Sequence, residues 1–287
     1  MTLDDVAHLV DEEVYPDYLR RKIAAYCGEY RALFQIAREA GLDVFVTTDV
    51  VYLNKWLEAR IGRSPEAAAA HLAEALDKLL KAFPEVRGVI LRIGESDGCD
   101  VRGDFRSELI IRTPLHARRL LQRLLPVAER HGRLLIFRTW SVGAYRIGDL
   151  IWNRETFNET FAGLDSEALV LSMKHGESDF FRYLPLNRHF FRSAHRKIVE
   201  LQTRREYEGC GEYPAFIGGD YAAYRDALRG APNMAGIMVW CQTGGWTPFR
   251  RLSYLDPDAL WNEINAEVTV DLFRNGVSME GAVRTVF

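Results

Sequence analysis

Three consecutive segments decide the fold: VRGVILRIGES (86–96), TPLHARRLLQRLLPVAERHG (113–132) and RLLIFRTWSVG (133–143). The outer two are unbroken Val/Ile/Leu runs, which is how strands buried on both faces read. The middle one repeats its apolar residues at helical spacing, with Thr113 as N-cap and Gly132 at the stop. Two buried strands joined through a long helix cannot form a hairpin, so they pair in parallel.

The same rhythm extends in both directions. Residues 15–40 (YPDYLRRKIAAYCGEYRALFQIAREA) predict a helix ending at Gly41, followed by the strand LDVFVTTDV (42–50). SPEAAAAHLAEALDKLLKAF predicts a helix capped by Ser64 with Pro65 at its first position. ALVLSMKH (168–175) and AGIMVWCQTGGW (235–246) predict strands, and PAFIGGDY (214–221) a short one before the helix AAYRDALRG. HRKIVELQTRREY (195–207) is helical at its start and extended later, and DPDALWNEINAEVTVDLFRNG is a last helix stopped by Gly276. No Pro/Gly/Ser-rich linker interrupts the alternation, so one domain over 1–287 is expected.

Polar residues recur where these strands end: Asp49, Arg92 and Glu95, Arg138 and Trp140, Lys174 and His175, Gln242 and Trp246. A closed barrel gathers all such ends around one pocket, whereas an open sheet uses mainly its switch point. The expected fold is therefore α/β, a (β/α)8 TIM-type barrel. Six or seven strands are readable where a barrel has eight, and the first readable element is a helix. The chain is expected either to lack the first one or two strands or to close with fewer.

Composition narrows the function. Of 287 residues, 37 are basic and 40 acidic, and no like-charge block marks a nucleic-acid surface. The N-terminus carries acidic residues where a secretory leader needs positive charge, and no apolar run is long enough to span a bilayer, so a cytoplasmic protein with no membrane partner is expected. Cys27, Cys99, Cys210 and Cys241 show no metal-knuckle spacing and are expected as buried free thiols. His175, His189 and His195 lack metal-ligand spacing, and no metal or cofactor is expected.

The chemistry-bearing candidates are carboxylates. Glu95 follows a strong strand, where a barrel places a general acid, although a loop carboxylate pairing with Arg92 reads the same way. Asp179 follows Lys174 and His175 in what alone reads as a loop turn, and Glu206 follows two arginines, which alone reads as a surface salt bridge. KHGESDFF (174–181) and ELQTRREYEG (200–209) together resemble the paired signatures of glycoside hydrolase family 67, the α-glucuronidases. The resemblance runs over residues 15–270 and is specific over 174–209. It implies an inverting hydrolase in which Asp179 and Glu206 activate water and Glu95 is the acid. GESDGCD (94–100) departs from the family's acid loop, and His175 and Glu177 depart beside the aspartate, which opens the choice of sugar.

Arg92, Arg138 and Lys174 are expected to bind a uronic acid carboxylate or to keep the catalytic carboxylates ionised. Trp140, Tyr207 and Trp246 are expected to stack on sugar faces, and His175 to line the pocket. Trp56, Trp152, Trp240 and Trp261 are expected to be packing residues. The expected partner is an oligosaccharide in polysaccharide degradation, with self-association through an open barrel edge as a further option. Alternatives are a retaining glycosidase on a neutral sugar and a barrel that binds carbohydrate without cleaving it.

Overall fold

The computed structural model describes residues 2–4, 6–50, 52–93, 104–141, 145–206, 214–243 and 251–287. Glu95, Tyr207, Trp246, Cys99 and Cys210 lie outside them. The chain divides into two compact units, Met1–Leu171 and Ser172–Phe287.

In the first unit, strands Thr2–Asp4 (β1), Val44–Asp49 (β2), Val86–Arg92 (β3) and Leu134–Arg138 (β4) pair in parallel in that order. Helices Asp17–Glu39 (α1), Pro65–Ala82 (α2) and Pro114–Arg130 (α3) fill the crossovers. Each helix begins where the residues allow it. Ser64 Oγ accepts from the Ala67 N–H, and Thr113 Oγ1 accepts from the His116 N–H, each with a proline at the first helical turn. Leu72, Leu76 and Leu79 of α2 and Leu120, Leu121 and Leu124 of α3 are buried. Gly88 is a sheet requirement, because a Cβ there would meet the Leu134 carbonyl at 2.6 Å. Leu169–Lys174 (β5), buried at every position, runs through the boundary between the units.

In the second unit, the end of β5 is followed by Lys197–Gln202 (β6) and Met234–Trp240 (β7), with β6 and β7 parallel. Gly218–Leu228 (α4) connects them, and Leu260–Phe273 (α5) and Met279–Val286 (α6) follow β7. Asn265 of α5 ties three connections together: its Nδ2 donates to Thr203 O and to Ala215 O, both at 2.9 Å, while its Oδ1 accepts from the Ile217 N–H at 3.1 Å.

The parallel α/β fold of the TIM-barrel class is as the sequence reads, with four adjustments. A three-residue strand, β1, precedes the first helix. PAFIGGDY forms no strand: residues 214–217 are irregular and Gly218 already opens α4. The ambiguous segment 195–207 resolves into the strand β6, after a short helical turn at His189–Arg192. Cys27 and Cys241 are free thiols, but Cys27 is only half-buried and Cys241 is exposed, because Cys241 falls just past the end of β7. Among the described residues no helix is long and apolar enough to cross a membrane.

Candidate functional site

The second unit concentrates charge at the ends of β5 and β6. Lys174 is the last residue of β5 and is 4% exposed; its ammonium pairs with Asp179, whose side chain keeps 33% of its exposure. The Lys174 Nζ also lies 4.9 Å from the centre of the Phe180 ring. In the segment after β6, Glu206 is 16% exposed, and its Oε1 lies 3.7 Å from Nη2 of buried Arg204. The Glu206 N–H donates to Phe180 O at 3.1 Å, and the Phe180 N–H donates back to Glu206 Oε2 at 3.4 Å. Asp179 is thus held one residue from a segment fastened to Glu206.

Each of these carboxylates retains some solvent and faces a cation that has almost none. Arg205, also buried, pairs with Asp220 at the start of α4. His175 is fully buried, with its ring stacked on Tyr224 at 5.0 Å and tilted against Phe180 at 5.9 Å. Burial first, then the positive charges of Arg205 and Lys174, lower its pKa from 6.5 to about 4, against an opposing pull from the Phe181 backbone. His175 is therefore a neutral ring at ordinary pH and supports the loop from behind.

One layer deeper lies a carboxylate that sequence reading passed over. Glu200, in the middle of β6, is fully buried; Ser172 Oγ of β5 donates to its Oε1 at 2.8 Å, and Trp240 Nε1 of β7 donates to its Oε2 at 3.3 Å. Three neighbouring strands converge on one side chain. Trp240 is therefore more than packing: its indole is hydrogen-bonded at the strand end. The available signal was the position of Glu200 inside an apolar strand, where a carboxylate requires partners. Tyr221 adds a second anchor, its hydroxyl donating to Gln202 O at 2.6 Å and accepting from the Gln202 N–H at 3.0 Å.

The remaining sequence candidates belong to the first unit. Arg92, at the end of β3, pairs with Asp49, at the end of β2, with Nε 3.0 Å from Oδ1. Arg138 ends β4 at 2% exposure, and Trp140 just beyond it is half-buried. Of the packing tryptophans, Trp152 is 51% exposed and Trp261 is 39% exposed, so neither is a core residue.

No family model and no curated protein matches this chain. Solved structures do. One described as a GH138 enzyme targeting pectin rhamnogalacturonan II superposes with a TM-score of 0.58 at 13% identity, over 93% of this chain and 32% of that one. The chain therefore spans about a third of that neighbour's length, and the likeness supports the fold. A GH5-4 broad-specificity endoglucanase from an uncultured bacterium follows at 0.48 and 10% identity, over 85% of this chain and 75% of that one. A D-tagatose 3-epimerase-like protein matches at 0.46 and 11% identity, over 86% and 84%.

Proposed function

We propose that this chain forms a catalytic barrel domain of a glycoside hydrolase acting on a uronic-acid-containing or related oligosaccharide, with inversion. The observation that carries the reading is the pair Asp179 and Glu206. They are two partly exposed carboxylates from the segments that follow consecutive strands, joined through Phe180 and each beside a buried cation. A GH138 enzyme targeting a pectic polysaccharide has a similar fold, which supports the reading.

The chemistry needs two opposed tasks. Glu95 donates a proton to the leaving glycosidic oxygen. Glu206, with Asp179, takes a proton from the water that attacks the anomeric carbon from the opposite face, and for inversion acid and base stand about 6.5–9.5 Å apart. Lys174 and Arg204 orient the water-side carboxylates, and a guanidinium or ammonium near them suits the carboxylate of a uronic acid. The test is proton NMR of the first product formed from a panel of uronic-acid oligosaccharides. The proposal expects the anomer opposite to the substrate's; product that retains its configuration would sink the inverting assignment.

A further inference from the structure

A groove with room for about 600 Å³ opens between β7 and helices α4 and α5, around the first residues of β7. Its floor is apolar. Val199 and Leu228 are buried there, while Met234, Ile237 and Phe273 are half-exposed, so a good part of that surface faces solvent. The strand itself shapes the opening. The pairing skips from Lys197 with Met234 to Ile198 with Gly236, leaving Ala235 as an extra, exposed residue.

The rim is cationic. Arg225, Arg229 and Arg274 all line the groove. Arg225 and Arg229 share one counter-charge, Asp226 Oδ1, at 2.9 and 3.2 Å, and Arg225 also donates to Val277 O at 2.7 Å. Arg274 is exposed and makes no ion pair among the described residues. Three guanidinium groups with one carboxylate leave an excess of positive charge beside a half-covered hydrocarbon surface.

We propose that this groove binds an amphiphilic carboxylate as a free molecule, with its hydrocarbon body on Ile237, Met234 and Phe273 and its headgroup at Arg229 and Arg274. The volume lies within the range of about 300–1,000 Å³ typical of small-molecule sites, which are mostly apolar with a few charged groups that fix orientation. The site is separate from the Asp179–Glu206 pair. Trp240, which reaches Glu200, closes the far end of the same strand, roughly 20 Å away at about 3.3 Å per residue.

Isothermal titration with decanoate below its micelle concentration tests this. The expected result is one saturable site, with 1-decanol binding at least tenfold more weakly. Arg229→Glu combined with Arg274→Glu should weaken decanoate at least tenfold, and Ala235→Trp, at the exposed bulge, should block it, with melting temperatures unchanged. Equal binding of decanol, undiminished binding in both variants, or binding to phosphatidylglycerol vesicles without binding of monomeric decanoate would each overturn the proposal. The last result would identify a membrane-facing surface in its place.

Discussion

Glu206 and Phe180 hold each other through two hydrogen bonds, backbone to backbone at 3.1 Å and side chain to backbone at 3.4 Å. One end of the Glu206 side chain therefore positions the loop that carries Asp179, while the other faces Arg204. A carboxylate with both duties can be altered in steps: a glutamine keeps the shape and one acceptor oxygen but loses the charge.

The Lys174–Asp179 pair is asymmetric, and so are its mutants. Lys174 is 4% exposed and Asp179 33%, so removing the aspartate takes away the carboxylate facing a buried ammonium, whereas removing the lysine leaves a carboxylate that water can reach. Asp179→Ala is expected to cost about 1–3 kcal/mol, discounted for the solvent at Asp179, and Lys174→Met less than about 1 kcal/mol. Urea denaturation of both variants checks the order, and a larger loss for Lys174→Met would reverse the argument.

Glu200 accepts from Ser172 on one oxygen and from Trp240 on the other. Glutamine offers only one acceptor oxygen, so one of the two donors is left facing an amide N–H₂. Glu200→Gln should destabilise the fold by about 1–3 kcal/mol, the cost of an unmet buried polar group. Tryptophan fluorescence should shift with it as the Trp240 indole loosens. Wild-type stability and an unchanged spectrum would show that Glu200 does not anchor Trp240.

Three histidines, His71, His175 and His189, are held to pKa values of about 4 primarily by burial. An unfolded imidazole titrates near 6.5, so below that pH the unfolded chain takes up protons that the folded chain refuses. Stability is complete above pH 6.5 and is lost as the pH falls towards 4, by on the order of 3 kcal/mol for His175 alone. His175→Phe, which keeps an aromatic ring against Tyr224, should flatten the decline by up to about 1.4 kcal/mol per pH unit in that window. Unfolding curves at pH 7 and pH 5 measure it, and identical slopes for the two proteins would contradict the assignment.

Local chemistry made most of the framework legible. Ser64 and Thr113 were readable as caps because the donor they satisfy lies three residues away, and Gly132 and Gly276 as stops because both adopt positive φ, at 62° and 65°. β1 was not readable: three residues, Thr-Leu-Asp, show no periodicity, and only pairing with β2 makes them a strand. PAFI reads as a strand, yet Asn265, far along the chain, takes the Ile217 N–H and the Ala215 carbonyl.

The site divided in the same way. Asp179 and Glu206 became candidates through a motif and its resemblance, since position alone makes Asp179 part of a loop turn and Glu206 one half of a surface salt bridge. Glu200 signalled a need for partners, but which ones was invisible because Ser172 and Trp240 lie 28 and 40 positions from it. Only the alignment of three neighbouring strands brings them together. The pairing of Arg205 with Asp220 across β6 and α4 was missed for the same reason.

The most direct test of the central claim is the turnover of a uronic-acid oligosaccharide by wild type and by Glu206→Gln, at matched folding. Loss of a catalytic base predicts a fall in kcat of about 10²–10⁴-fold with KM little changed. Near-wild-type kcat in the folded variant would contradict the account, because the reaction would then not depend on the carboxylate in the segment after β6.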